Sequence, residues 1–569
     1  MMSFSLFHRP SFDAKLHKIS SQLQRHALLA AMFSFSARFC EGAATEQHID
    51  IPSPEYFHGI ATRLINDALE ECSDNAPPLC VLQAMVLTTF QQLATGVRGR
   101  AWRSLGTCIR IAYELELHLI DRRIDQDLDF TISKNLEKWI LEEERRRAWW
   151  ALWEFDVFAS TIRRLPTAID WLRNETWLPI EDEFWFANKF FPSCHLVVDP
   201  HQRWKLFEKS GNKSGRAWFI VINSLMRSAQ SIWGSSRKNP QPISKSKGVS
   251  TPTSKSVEEA ENEMNTVSDA IYCFTMALPL NLTHRGEFLS FRASKYAVTI
   301  TSRQNDSDKY SIHIMKQLSR FMIYHHRVFR NVGRDADHAS QNGNAWMRDS
   351  TAKGPNQETW SRYLDAADDI VAIIRNSSSD HIQYVNPYLA STIWLAAAAQ
   401  VASHTFGPTV TNPKAVESNL DLLRLTFNRF VSFWNLSDTL QERLSTLESR
   451  LKSLLSNENG TSQVGQQAET TRQGKTVNQP ANTEINREIS NEPQRNDRIE
   501  DFTSMSSYFP SESALSPSAV TSYDASYTLP TAGMNFGGFQ MAGYESWDSC
   551  ELEELLTYGY GGNIAAGLV

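Results

Sequence analysis

The chain has 569 residues, 41% of them hydrophobic and 11% aromatic, and a formal net charge of −7, which gives enough apolar material for a sizeable core. From Ile499 to Val569 there are nine Asp/Glu and no Lys, Arg or His, so the other 498 residues are close to balance, with 57 basic against 55 acidic side chains. A surface that grips the DNA backbone needs a surplus of Lys and Arg to displace counterions, and the lack of one argues against tight DNA binding by this chain alone.

Residues 1–233 read as helix after helix. Trp102 to Leu119 places Trp102, Leu105, Ile109 and Ala112 on one face at three-to-four spacing. The next helix is expected from about Leu136 to Phe158, with Ala148, Leu152, Phe155 and Ala159 as its apolar stripe. On it, Glu142–Arg146 and Glu143–Arg147 are acid-before-base pairs one turn apart, each worth a few tenths of a kcal/mol; with Trp149, Trp150 and Trp153 this ladder reads as a core helix whose charges are solvated or cross-paired, or as one whose Arg145 to Arg147 hold a neighbouring segment and control exposure of the tail. Pro166 and Pro179 bracket the connection that follows. Residues 234–256 form a basic Ser/Pro-rich stretch that cannot bury apolar surface and reads as a flexible linker.

A second helical block is expected over 257–455. Ile314, Met315, Leu318, Phe321, Met322, His325 and Val328 share one side of a helix, and Tyr363–Arg375 and Pro387–Ala402 form a further pair. The block ends on Leu440, Leu444, Leu447, Leu451 and Leu454, a 4-3-4-3 spacing over about two heptads. Those leucines either pack against the same domain or form a dimer contact. Residues 456–569 are rich in Asn, Gln, Thr, Ser and Pro and read as a disordered tail. The fold class expected is all-α: a large multi-helix domain followed by that acidic tail.

Within the tail, 544–560 interleaves five acidic residues with Trp547, Leu552, Leu555 and Leu556. Carboxylate repulsion keeps such apolar side chains exposed, ready to fold onto a groove in a coactivator. The alternative is an uninvolved polar tail.

Signs of catalysis and metal binding are missing. The seven cysteines (Cys40, Cys72, Cys80, Cys108, Cys194, Cys273 and Cys550) never fall at the close spacing of a zinc site. Gly211-Asn-Lys-Ser214 lacks the glycine spacing of a phosphate loop, His325-His326 points two rings in different directions, and Asp365, Asp368 and Asp369 read as a solvated helix face. No enzyme and no cofactor are expected. No signal peptide is seen, and the apolar run Ile393–Ala402 is about half a membrane span, so an intracellular protein with no membrane partner is expected.

Three stretches stand out: Leu6-Phe-His-Arg-Pro-Ser-Phe12, Ala101 to Ala112 with Glu116-Leu-His118, and Glu143-Glu-Arg-Arg-Arg-Ala-Trp-Trp-Ala-Leu-Trp153 with Asp156. In this order and spacing they resemble the fungal-specific transcription factor domain, or middle homology region, of zinc-cluster transcription factors. Leu178-Pro179 resembles the end of that block. The family's usual Gly-Arg-Pro after the second signature helix is replaced here by Arg163-Arg-Leu-Pro166. The resemblance implies an all-α regulatory domain in a nuclear transcription regulator that controls a metabolic gene set, such as a secondary-metabolite cluster. It also implies promoter DNA, coactivators, a homodimer partner and a small-molecule effector as partners. Zinc is expected only in an N-terminal cluster that these 569 residues do not contain, so DNA would be reached through such a head or through a partner factor. The alternative is a headless co-regulator acting by protein–protein interaction.

Overall fold

The computed structural model describes residues 5–40, 52–122, 136–236, 256–292, 301–342, 357–406, 413–437 and 439–451. Every named element among them is helical. Two isolated bridges, Trp177 with His195 and Leu289 with Ser377, are the extended pairings recorded among these residues. The linker residues 237–255 and the tail from 452 onward lie outside the described residues.

Local chemistry sets many of the helix ends. Helix α1 (Phe12–Lys18) follows the 3-10 turn Arg9–Ser11. The Ser21 hydroxyl accepts from the Gln24 amide to start α2 (Gln22–Ser36), and Ser53 does the same for Tyr56 ahead of α3 (Pro54–Cys72). Such caps each stabilise a helix by about 1 kcal/mol. Helices α4 (Leu79–Thr95), α5 (Gly99–Glu114) and α6 (Leu136–Arg163) follow. Short α7 (Asp182–Phe186) leads to α8 (Pro200–Ser210), capped by Asp199 at its start and by left-handed Gly211 at its end. Then come α9 (Gly215–Ser236) and α10 (Val257–Ala277), the latter opened by a reciprocal capping box between Ser256 and Glu259. Helices α11 (Thr301–Asn342), α12 (Gln357–Arg375), α13 (Ala390–Phe406) and α14 (Pro413–Trp434) complete the named set, and a last helical segment spans 439–451.

Packing runs largely between neighbours along the chain: α2 on α3 and α4, α9 on α10 and α11, α11 on α12, and α13 on α14. One hydrophobic core runs from Leu6 to Leu451 and draws on both sequence blocks. Ala396 to Ala399 are fully enclosed, so the apolar run Ile393–Ala402 forms an interior helix of this core.

Helix α6 departs from the expected single stripe. Ala148, Leu152, Phe155 and Ala159 are buried as read, but so are Trp149, Trp150, Ala151 and Trp153. A helix enclosed on all sides has no solvated face, so its charged residues are carried inside with it.

The substituted turn after α6 also has a definite geometry. Arg164 adopts φ +55°, and the Leu165 amide reaches back to the Ser160 carbonyl at 3.1 Å. This is the left-handed helix stop that glycine usually occupies, here made by arginine.

Candidate functional site

The three sequence stretches singled out above meet around the buried middle of α6. Leu6 is buried, and its carbonyl accepts from Gln83 Nε2 at 3.0 Å. His8 is enclosed, with one ring nitrogen 3.0 Å from the Trp185 carbonyl and the other 2.8 Å from Ser11 Oγ. Burial pulls its pKa below the ordinary histidine value. From the end of α5, the Leu115 carbonyl accepts from Arg145 Nη2 at 2.6 Å.

Arg146 and Arg147 are the centre of a largely buried ion lattice, with Asp182 at its partly exposed edge. Arg146 grips Asp121 with two parallel bonds, Nε to Oδ2 at 2.8 Å and Nη2 to Oδ1 at 2.5 Å, and approaches Glu143 at 3.4 Å. Asp121 also accepts the Trp177 amide at 2.8 Å. Arg147 donates to Glu143 at 2.9 Å and to the Ile180 carbonyl at 2.7 Å, and it pairs with Asp182. The Ser5 hydroxyl closes the circuit on Asp182 at 2.5 Å. Trp185 lies under Arg147, its ring centroid 4.0 Å from the guanidinium carbon. Burial opposes the charge on both arginines, but the facing carboxylates outweigh it and hold them more firmly protonated than free arginine. Burial likewise raises the Asp182 carboxyl, and Arg147 more than reverses this.

Of the two readings of the Glu/Arg ladder, the structure shows the cross-paired one, with Arg145 to Arg147 holding neighbouring segments. Arg146 is matched mainly to Asp121 on a distant loop, with Glu142 at 3.8 Å, and Glu143–Arg147 is interior. Pairs in that setting are not solvated pairs worth tenths of a kcal/mol. Removing one partner of a buried pair costs about 3–5 kcal/mol because it strands the other charge.

A second group lies further along α6. Glu154 accepts from Asn386 Nδ2 at 2.7 Å and lies 3.7 Å from Arg216. Asp308 accepts from Gln304 at 2.8 Å and sits against the start of α9, where a Cβ on Gly215 would fall 2.3 Å from its Oδ2. Burial pushes both carboxyls up to about 7 and pulls Arg216 down to about 10. The field of Arg147 and Asp182 reaches Arg216, so the two groups are electrostatically continuous. Asp121, Asp182, Asp308, Glu154 and Arg216 carry no local sequence signal, because their partners are supplied by folding.

Of the five C-terminal leucines, Leu444, Leu447 and Leu451 are buried in the chain's own core, and Leu440 packs against it. The Leu440 carbonyl also accepts from the Trp394 indole at 2.6 Å. These side chains are engaged within their own domain. Leu454 lies outside the described residues, as do Trp547, Leu552, Leu555 and Leu556.

Asn212, in the Gly211–Ser214 segment, donates to the Pro179 carbonyl and to Ser193, so the segment is a structural loop. Asp365, Asp368 and Asp369 are exposed, as a solvated helix face requires, with Asp368 accepting from Gln400 and Asp369 paired with Arg320. Among the described residues no group of three or more His, Cys, Asp or Glu could hold a metal, and the described cysteines are free thiols. These residues therefore do not fit a zinc cluster. No described helix is long and apolar enough to cross a membrane.

Comparison with known proteins gives this arrangement a context. A fungal specific transcription factor domain matches residues 2–273. An uncharacterized transcriptional regulatory protein of Schizosaccharomyces pombe is 29% identical over 165 residues, covering 29% of this chain and 16% of that protein. A Zn(2)-C6 fungal-type transcription factor of Fusarium oxysporum is 25% identical over 239 residues, 41% of this chain and 24% of that protein. A tropolone cluster transcription factor of Talaromyces stipitatus is 32% identical over 128 residues, 22% of this chain and 20% of that protein. The matched stretch thus spans no more than about a quarter of each of these relatives. No solved structure matches. Residues 2–273, a little under half of the chain, thus match the fungal specific transcription factor domain.

Proposed function

We propose that the chain is a nuclear transcription regulator whose helical body is the regulatory part and whose acidic segment 544–560 recruits coactivators. The observation that carries this reading is the match of residues 2–273 to the fungal specific transcription factor domain, whose signature stretch Glu143–Trp153 is held in place by the lattice Asp121–Arg146–Glu143–Arg147–Asp182. The likeness to a tropolone cluster factor favours a secondary-metabolite gene set among metabolic targets. The near-balanced charge of residues 1–498 favours DNA contact through a separate module, either a zinc cluster of the kind the Zn(2)-C6 relatives are named for or a partner factor for which this chain is co-regulator.

Fusing the chain to a foreign DNA-binding domain and reading a reporter tests the activating role. The expected result is activation that falls at least tenfold in Trp547→Ala/Leu555→Ala/Leu556→Ala. Activation that survives the triple substitution refutes the tail's role. Tight, steeply salt-dependent DNA binding by the purified chain would refute the charge argument.

A further inference from the structure

Arg146 and Arg147 are buried and engaged, so a grip on the acidic tail would have to come from cations left at the surface. Four arginines gather at one edge of the body, where α5 begins and α6 ends. Arg98 occupies the cap position of α5, Arg100 and Arg103 follow just inside it, and Arg163 ends α6. Arg163 reaches across to the Val97 carbonyl at 3.3 Å and lies over the Trp102 ring, 5.2 Å from its centroid, so the four share one surface. All four are exposed, and none forms an ion pair with a described carboxylate. Glu55, which has His58 as a neighbour in common with Arg100, accepts from Asn435.

Helix stability does not explain this placement. Cations at a helix N-terminus oppose its dipole, and α5 has neither an acidic residue in its first turn nor a side-chain cap. Half-buried Trp102 and exposed Leu165, two positions from Arg163, add apolar surface to the edge. Cations beside apolar contacts are the complement of 544–560, where five carboxylates interleave with Trp547, Leu552, Leu555 and Leu556. Residues 499–569 hold no Lys, Arg or His, so any cation for those carboxylates comes from elsewhere. The chain also leaves the described body near this edge. Arg98 donates to Ser437 at 3.1 Å, two residues ahead of the last helical segment, and the 92 residues between 451 and 544 are ample to return.

We propose that residues 544–560 dock on the arginine edge Arg98–Arg100–Arg103–Arg163, which holds the segment against the body until a coactivator displaces it. The consequence for activation rests on reading 544–560 as the recruiting segment, whereas the contact itself does not. Exposed ion pairs are individually weak, but a tethered segment meets its site at raised effective concentration, so several together suffice.

The contact is measured with a fluorescent peptide of residues 544–560 titrated with full chain whose own segment is neutralised by Glu545→Gln/Asp548→Asn/Glu551→Gln/Glu553→Gln/Glu554→Gln. The expected result is saturable one-to-one binding that weakens at least tenfold in Arg98→Gln/Arg100→Gln/Arg103→Gln/Arg163→Gln and at about 0.5 M salt. Lys18→Gln/Lys205→Gln/Lys209→Gln/Lys414→Gln removes the same charge from exposed lysines elsewhere and should change the affinity less than twofold. No saturable binding, or an equal loss in the lysine variant, overturns the proposal. So does arginine-dependent binding of duplex DNA tighter than that of the peptide, which would assign the edge to nucleic acid. A charge swap guards against a folding defect. Arg98→Glu/Arg100→Glu/Arg103→Glu/Arg163→Glu should regain binding to a peptide with Lys at its five acidic positions, and failure of both pairings overturns the contact. On the reporter, the Arg→Gln variant should raise activation at least threefold. Peptide binding without any activation sinks only the recruiting role, and activation without peptide binding sinks only the contact.

Discussion

Replacing Arg146 by Met tests the physical claim on which the site rests. The substitution keeps the stem of the side chain and removes the guanidinium. Asp121 then loses both parallel bonds and retains the Trp177 amide, and Glu143 loses one of its two arginines. The Arg146 side chain is 2% exposed and that of Asp121 is 0% exposed, so water cannot replace what is lost. Stranding a charge in such a place costs about 3–5 kcal/mol. With an unfolding entropy of about 2 cal/mol/K per residue and a helical body of roughly 400 residues, the melting temperature should fall by about 4–6 °C. The control is Arg320→Met, which breaks a half-exposed pair with Asp369 and should cost under about 1 kcal/mol, or about 1 °C. Thermal melts followed by far-UV circular dichroism resolve the two, and Arg146→Met/Asp121→Leu should recover part of the loss because both charges leave together. If Arg146→Met melts no lower than Arg320→Met, the lattice is wet and the argument for a dry core of charges fails.

Three further outcomes are expected. Arg164→Gly should stabilise by about 0.5–1 kcal/mol, because φ +55° at that helix stop suits glycine and strains a side chain; equal or lower stability in urea unfolding would contradict this. Gly215→Ala should destabilise by about 1–3 kcal/mol, since the new methyl would fall 2.6 Å from the Asp308 Cβ and more than a carboxylate rotation is needed to clear it; a neutral result would mean that α9 shifts freely. The Glu154 carboxyl, pushed by burial up to about 7 from an ordinary 4.5, holds its proton more tightly folded than unfolded. Its contribution is therefore fully present below about pH 4 and is lost as pH rises through about 7, an effect on the order of 1–3 kcal/mol. Glu154→Gln should flatten that part of the stability–pH curve between pH 5 and 8, and unchanged steepness would refute the assignment.

The sequence made the helices legible wherever one side is apolar. The stripe of α5 at Leu105, Ile109 and Ala112 and that of α11 at Ile314, Leu318 and Phe321 are buried as the spacing predicts. Periodicity under-read α6, because a helix enclosed all round has no phase to detect. That its charges could be cross-paired was legible, but not with which partners, since Arg146 and Arg147 find Asp121 and Asp182 across 25 and 35 positions. The polar atoms left without protein partners were beyond reach for a different reason. Thr161, Asn223 and Thr392 are unremarkable in sequence, and only tertiary packing sets their unpartnered atoms around one space. The terminal leucine spacing was visible, but a short heptad run does not say which surface it meets, and here it meets the chain's own core.

The buried lattice raises the question of what such charges contribute, since a well-packed apolar core of the same volume is often at least as stable. An answer lies in what each arginine reaches. Arg145 ties the Leu115 carbonyl, Arg146 ties Asp121, and Arg147 ties the Ile180 carbonyl, Asp182 and the Ser5 carbonyl. Apolar contacts would tolerate a loop sliding along α6, whereas a two-pronged guanidinium accepts a carboxylate in one orientation. The lattice thus specifies which segments dock on the helix. Across both groups, five carboxyls (Asp121, Glu143, Asp182, Glu154 and Asp308) face three guanidiniums (Arg146, Arg147 and Arg216). The shortfall lies at Glu154 and Asp308, the two carboxyls that burial pushes up to about 7. Glu154 reaches Asn386 across the two blocks. The best-compensated part of the lattice therefore fixes the fold of the N-terminal block, and the least-compensated part lies where the two blocks meet.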